Sequence, residues 1–498
     1  MVAYGEFRRG FAGDEADTRL VVYGLRYALE NYVLRRWTAE DVERADAFYR
    51  SHLAPGHGAF PFPKELFTRI VDQHGGYFPV RLQALPDGTC VHAHVPVYQI
   101  TAEHEFAPLC TFLETLLTMM WYPTTVATLS RRARDVIAAA FDASADGGSR
   151  SALLPSRLHD FGFRGCTSVE QSVLGGLAHL LSFDGTDTMS AAYYAQFHLN
   201  GGRPVGMSIP ATEHSVMTCW PDERAAILNM ITRFGSGLFA TVMDSYDYGA
   251  ALREVVPVVA EAKLAAGGFW VLRPDSGDPV DAVLQGLAAL EAVFGADVNA
   301  KGFKVVRGAG VIQGDGINVA TMSAILDATL AAGFSAENVA FGMGGGLLQR
   351  VNRDTMSFAT KLCHVVYADG TPHDVMKHPT TDAAKISLPG ELAVKRVGGV
   401  PTVFPADSGE VPPGEDLLQV VYDCGPVAGP NPLLDADFDA VRARVAAEWA
   451  ALPRAADVLS GSLRAKIAAV TAQHASGASA AARAASAAAA AAGAGGGG

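Results

Sequence analysis

Residues 269–294 read FWVLRPDSGDPVDAVLQGLAALEAVF, and the fold class turns on them. An apolar run, Phe269–Leu272, stops at Arg273, and Pro274, Gly277 and Pro279 fix the backbone around and beyond Asp275. Val280, Val283, Leu284, Leu287, Leu290, Val293 and Phe294 then recur at helical spacing. That spacing predicts a helix over 279–294 with Asp278 as N-cap and Pro279 in the first position. The stretch is a strand that enters a helix through a rigid polar turn, with Arg273 and Asp275 displayed at the strand's end.

Four further apolar runs end in polar or glycine-rich residues: VGMSIPATEHS (205–215), LFATVMDSYD (238–247), GVIQGDG (310–316) and VAFGMGGG (339–346). Strand–helix alternation on this scale implies parallel strands with helical crossovers. The polar residues always follow the apolar run, which favours a (β/α) barrel, regular or irregular, with its site at the strands' C-terminal ends. An open doubly wound sheet is the alternative, and the absence of GxGxxG after a first strand weakens its dinucleotide-binding version. The barrel is assigned to 151–355.

Residues 1–150 and 356–472 lack this alternation. They mix predicted helices (20–35, 39–53) with strand-like HAHVPVYQIT (92–101), AVKRV (393–397) and LLQVVYDC (417–424). Both are read as one mixed α+β domain built from the two ends of the chain. From Gln473 to Gly498 the composition is almost wholly Ala, Ser and Gly, which predicts a disordered tail.

The chain has 498 residues, enough for a large core and more than one domain. A net charge of −13 argues against a nucleic-acid partner. No apolar stretch reaches the roughly 18 residues of a membrane span, and MVAYGEFRRGF lacks a signal-peptide core. Cys90, Cys110, Cys166, Cys219, Cys363 and Cys424 form no C-x-x-C pair, which reads as reduced thiols in the cytoplasm.

FGMGGGLLQRVNRD (341–354) is the clearest phosphate signal: a strand runs into three glycines and a helix opening at Leu347, with Arg353 and Lys361 downstream. VIQGDG sets Asp315 between glycines, to hold a hydroxyl or a metal-bound group, or simply to form a turn. His214 follows a strand with Glu213 beside it. Asp244 and Asp247 in DSYD contact a cation or hydroxyl, or cap a helix. Phe161 and Arg164 in LHDFGFRG (158–165) offer a ring to stack on a planar ligand, or a core pair.

Taken together, LHDFGFRG, FDGTDTM, IPATEHS, DSYD, RPDSGDP, VIQGDG, FGMGGGLLQ and RDTMSFATK, in that order, with ETLLTMMWYPTTVATLSRR (114–132) before them, resemble the nicotinamide phosphoribosyltransferases. These are type II phosphoribosyltransferases within the nicotinate phosphoribosyltransferase family. The similarity runs from about Ala3 to Val427. It implies a homodimer with active sites at the subunit interface. The implied reaction joins nicotinamide to 5-phosphoribosyl 1-diphosphate, giving nicotinamide mononucleotide and diphosphate, with Mg2+. ATP assists by phosphorylating a histidine, here His214.

By this resemblance Arg273 holds the carboxamide oxygen, Asp187 accepts from the carboxamide nitrogen, Phe161 stacks on the pyridine and Asp275 binds the ribose hydroxyls. Gly314, Asp315, Gly344 and Gly345 cradle the ribose and 5-phosphate. Arg8, Arg164, Arg353, Lys361, Lys377 and Lys385 surround phosphate and diphosphate, and Glu213 and Asp244 are the candidates near Mg2+. An ionised Asp187 favours the amide over nicotinate.

Three departures are expected to matter. The family carries, upstream of the stretch matching Ala3, a tyrosine that covers the other pyridine face from the neighbouring subunit. The present sequence starts after it, which implies an earlier natural start, a substitute aromatic or one-sided stacking. Ala240 stands where a serine of the substrate tunnel is expected, and Gly310 where an arginine is expected, with Arg307 as a replacement. Two other readings stand beside the main one: nicotinate or quinolinate as acceptor, and a catalytically weak relative that binds nucleotides or a protein partner.

Overall fold

The computed structural model describes residues 1–52, 58, 61–377 and 386–473. It divides into two compact units: Tyr122–Asn352 with Asp437–Ala447, and the remainder, made of Met1–Trp121, Arg353–Ala436 and the chain from Glu448 onward. The sequence reading set these boundaries near 150 and 355. Among the described residues no helix is long and apolar enough to cross a membrane. The six cysteines are all free thiols.

The first unit carries the parallel strands. Leu158–Asp160, Val339–Met343, Ala309–Gln313, Phe269–Arg273 and Leu238–Val242 lie side by side in that order, every pairing parallel. Beyond both edges, single parallel bridges continue the pattern: Asp160 with Thr186, Gly185 with Met207, and Ala211 with Ala240. The sequence expectation of parallel strands with helical crossovers is met as this five-stranded sheet. The run 205–215 enters it through bridges alone, and Leu158–Asp160 is a strand that the apolar runs did not announce.

The residues explain the geometry. Helix Pro279–Phe294 starts as predicted, with Asp278 accepting from the amides of Val280 and Asp281. It buries Val283, Leu287, Leu290 and Phe294. Gly286 lets Tyr248 approach, since a Cβ there would lie 2.6 Å from the Tyr248 oxygen. Along Phe269–Arg273 the side chains alternate. Trp270 and Leu272 are fully buried on the outer side, where Trp270 stacks on Phe239 at 6.3 Å and donates to the Thr241 hydroxyl at 2.8 Å. Val271 faces inward with Ala240, Ile312 and Ala340, one from each of four neighbouring strands, and Phe161, Ile209 and Phe269 pack on them. Two residues further along each strand comes the next inward layer, where the site lies.

The other unit is a six-stranded antiparallel sheet in the order Pro372–Asp374, Phe358–Val366, Val2–Phe7, Pro96–Ala102, Val80–Ala84 and Gln419–Asp423. The strand-like sequences all contribute: Pro96–Ala102 and Gln419–Asp423 to this sheet, Leu392–Val397 to a hairpin with Val400–Pro405. The predicted helix 39–53 is Ala39–Ser51, held by a capping box between Thr38 and Asp41. The predicted helix 20–35 is corrected: Arg19–Val21 is a strand, Gly24 turns the chain at φ 105°, and only Leu25–Val33 is helical. A helix spans 461–473, so Gln473 of the expected tail is helical and 474–498 fall outside the described residues.

Candidate active site

A cavity of about 530 Å³ opens at the C-terminal ends of the parallel strands, lined by Phe161, Arg164, Asp187, Glu213, His214, Val242, Arg273, Asp275, Gly314, Asp315 and Gly344–Gly346. Strand alternation places them. Val242 and Arg273 follow the inward Ala240 and Val271 by two residues, and they pair across their strands. Arg273 then reaches back: its Nη2 lies 3.2 and 3.1 Å from the two Asp275 oxygens, and its guanidinium sits 4.9 Å over the Phe161 ring. The Arg273 Nε is buried without a hydrogen-bond partner, a donor left open.

Phe161 is seated on glycine. A Cβ on Gly342 would come within 2.0 Å of the ring and one on Gly314 within 3.3 Å. Only a bare backbone lets the edge of the ring come this close to the strand. Asp187 takes the hydroxyl of Ser208 on one oxygen, and its amide donates to the Asp160 carbonyl at 2.9 Å. Asp275 is oriented from behind by Asp244, whose Oδ2 accepts from the Asp275 amide at 3.1 Å and from the Ser276 hydroxyl. His214 is half exposed, with Nε2 3.5 Å from Asp275 Oδ2 and 3.8 Å from Asp244 Oδ1, and Nδ1 3.4 Å from the Ser245 hydroxyl.

Glu213 caps the short helix His214–Thr218 by accepting from the Val216 amide. Hydrogen bonding from the Ser215 amide holds its carboxyl below the usual range. Asp247 caps Tyr248–Ala250 through the Ala250 amide, the capping alternative weighed from sequence. The three-glycine bend lines the cavity, but the helix expected to open at Leu347 starts at Gly345 and is a single turn, Gly345–Leu348. That correction moves the phosphate argument from a helix terminus to the exposed backbone of the bend.

Four side chains around this site went unnoticed in the sequence. Asp160 is fully buried on the outer side of its strand, and its Oδ1 accepts from the Gly162 amide at 2.7 Å. Burial pushes its carboxyl up to about 6. Gln349 lines the cavity and donates to the Gly162 carbonyl at 2.9 Å, Tyr122 donates to the Leu348 carbonyl at 3.0 Å, and Arg350 adds a cation to the lining. The opposite parity of Asp160 and Phe161 in LHDFG was the available signal. Ala240 is inward-facing and buried. Gly310 is closed to any side chain, a Cβ there lying 2.9 Å from the Asn338 carbonyl. Arg307 is bound to Asp297 at 2.6 Å and does not replace the expected arginine.

The remaining predicted cations belong to the other unit, except Lys385, which lies outside the described residues. Arg8 contacts Glu6 at 3.3 Å and leaves its Nη2 buried without a partner. Lys361 is held below the usual ammonium range, by burial first and then by the Arg8 charge, with Lys377 adding to it. Arg353 is exposed and 3.4 Å from Asp354. Glu114 and Glu6 act on Lys361 in the opposite sense, so the like charges there are partly offset.

The chain's residues match the model of the nicotinate phosphoribosyltransferase (NAPRTase) family over 156–408. The chain belongs to that family. A protein of Xanthomonas campestris pv. campestris named nicotinamide phosphoribosyltransferase is 44% identical over 383 residues, covering 75% of this chain and 79% of that protein. One of Acinetobacter baylyi with the same name is 28% identical over 463 residues, covering 86% and 89%. Two solved structures share the fold. The nicotinate-nucleotide pyrophosphorylase of Pyrococcus furiosus matches with a TM-score of 0.55 at 15% identity, covering 90% of this chain and 89% of that one. The human nicotinic acid phosphoribosyltransferase matches at 0.54 and 18%, covering 94% and 95%.

A metal fits this site in one manner. Among the described residues no three His, Cys, Asp or Glu side chains form a metal cluster. Asp244 Oδ1, however, is buried without a hydrogen-bond partner beside the cavity. One open carboxylate oxygen suits a Mg2+ that arrives on a diphosphate and keeps most of its ligands from substrate and water.

Proposed function

We propose that the chain is a nicotinamide phosphoribosyltransferase, forming nicotinamide mononucleotide and diphosphate from nicotinamide and 5-phosphoribosyl 1-diphosphate. The observation that carries this reading is the meeting of Arg273, Asp275, Asp187, Phe161 and the Gly344–Gly346 bend in one cavity. The naming of the 44% identical relative supports the choice of base.

The ring nitrogen of nicotinamide forms the bond to ribose C1 while the C1–O bond breaks and diphosphate leaves with the electron pair. Positive charge grows on the ribose in between, and the Asp275 carboxylate, fixed by Asp244 and Arg273, stabilises it without reorganising. Phe161 supplies a stacking face. The open Arg273 Nε takes the carboxamide oxygen and Asp187 its N–H. A carboxylate at 187 repels nicotinate, so the amide is the preferred acceptor. The open Asp244 oxygen would hold a Mg2+ arriving with the diphosphate, which would supply positive charge against the leaving group. His214, half exposed at the mouth, is the phosphoryl acceptor when ATP assists.

The finer expectations belong to this proposal. The parallel sheet and its edge bridges are read as a closed, irregular (β/α) barrel. The working molecule is a cytoplasmic homodimer with active sites at the subunit interface. Arg8, Arg164, Arg353, Lys361, Lys377 and Lys385 serve the phosphate and diphosphate groups.

The test is turnover by purified protein with phosphoribosyl diphosphate and Mg2+, comparing kcat/KM for nicotinamide and nicotinate. The amide is expected to be favoured at least tenfold, and Asp187→Asn to reduce that preference. Equal or greater use of the acid would reject the assignment of the base.

A further inference from the structure

Away from the reacting cavity, the parallel-sheet unit gathers three arginines around a second depression. Arg131 and Arg134 lie on one helix, Trp121–Ser144, at adjacent-turn spacing. Arg442 comes from Phe438–Ala451. With Ser182 and Asp184, from the turn after Val169–Leu180, they line a pocket of about 230 Å³. Asp184 immediately precedes Gly185, and Pro155 precedes Leu158–Asp160, so the pocket lies towards the strands' N-terminal ends, opposite the reacting cavity.

Its charges do not balance. Arg442 pairs with Asp184, and Arg131 lies 3.1 Å from Asp135. Arg134 has no carboxylate of its own: it donates to the Ser182 carbonyl and stacks 5.6 Å over the Phe183 ring. Burial first, and then the Arg131 charge, bring the Arg134 guanidinium down to about 10; Asp184 opposes this, and Arg442 and Arg150 act in the same sense as Arg131. Holding a part-buried guanidinium among like charges is unfavourable unless an anion joins them. Guanidinium forks match the oxygens of a tetrahedral oxyanion.

We propose that this pocket binds a phosphate-class oxyanion, free or as a phosphomonoester, between Arg134, Arg131 and Arg442. The site is independent of the reaction assigned above, since none of its residues lines the reacting cavity.

Crystals of the full chain soaked in potassium selenate locate the anion by the anomalous signal of selenium. The expected result is a peak within hydrogen-bonding reach of Arg134 and Arg442, absent from Arg134→Met crystals, in which the side-chain stem is kept. In solution, calorimetric titration with inorganic phosphate is expected to show, besides binding in the reacting cavity, a second site that Arg134→Met weakens at least tenfold, that Arg134→Lys partly restores, and that persists when Arg164→Met weakens the first. Ribose 5-phosphate binding more tightly than phosphate at this site identifies the monoester, and equal or weaker binding the free ion. Should Arg134→Met fail to fold by circular dichroism, Arg442→Met carries the same comparison. No peak at the pocket, an equal peak in the variant (an adventitious ion only) or unchanged phosphate affinity would overturn the proposal.

Discussion

Asp275 is held on three sides: by Arg273 at 3.1 Å, by His214 at 3.5 Å, and through its own amide by Asp244. A carboxylate this constrained acts by its charge, so Asp275→Ala is expected to lower kcat/KM about 10²- to 10³-fold with a melting temperature close to that of the parent. Steady-state kinetics and calorimetry on one preparation check both parts. Gly342→Ala would drive a methyl into the Phe161 ring, 2.0 Å from its edge. The expected outcome is a KM for nicotinamide raised at least tenfold and a KM for phosphoribosyl diphosphate changed less. Asp160, with its carboxyl pushed up to about 6 by burial, holds a proton more tightly folded than unfolded. Its contribution is therefore full below pH 3.8 and is lost as pH rises to about 6, up to about 3 kcal/mol. Denaturant unfolding of Asp160→Asn against the parent should show the variant gaining relative stability across that window. Arg273 and Asp275 were legible because proline and glycine bracket them. Asp160 was not, because its role depends on which side of a three-residue strand it faces.

At the scale of elements, the helix after the opening strand was the most readable. Its cap, first-turn proline and apolar spacing all agreed, and the helix formed over the predicted residues. Removing the cap with Asp278→Ala is expected to cost about 1 kcal/mol, read by urea unfolding. Four of the five apolar runs contain strands. The run 205–215 is broken by Pro210 and Gly206 and can make only bridges. Leu158–Asp160 escaped notice because two of its three residues are His and Asp, which no apolar pattern marks. The glycine bend misled in the opposite direction: a helix start was correctly placed nearby, but the helix closes after one turn.

At the scale of the molecule, the boundary near 150 rests on where the alternation of apolar runs and helical patterns begins, a signal that cannot see the helix preceding the first strand. The continuous helix Trp121–Ser144 instead begins where one unit gives way to the other. Each unit also buries a histidine, His92 in one and His179 in the other, and burial brings both down to about 4. Unfolded, each takes a proton near pH 6.5. Folded stability is thus full above 6.5 and lost as pH falls towards 4, so His179→Gln should flatten the acid side of the stability profile.

The most direct measurement is a crystal structure with nicotinamide mononucleotide bound. The pyridine should lie on the Phe161 ring with its carboxamide between Arg273 and Asp187, the ribose hydroxyls at Asp275 and the 5-phosphate at Gly344–Gly346. A nucleotide bound elsewhere, or with its phosphate at Arg273 and its base turned away from Asp187, would contradict the account.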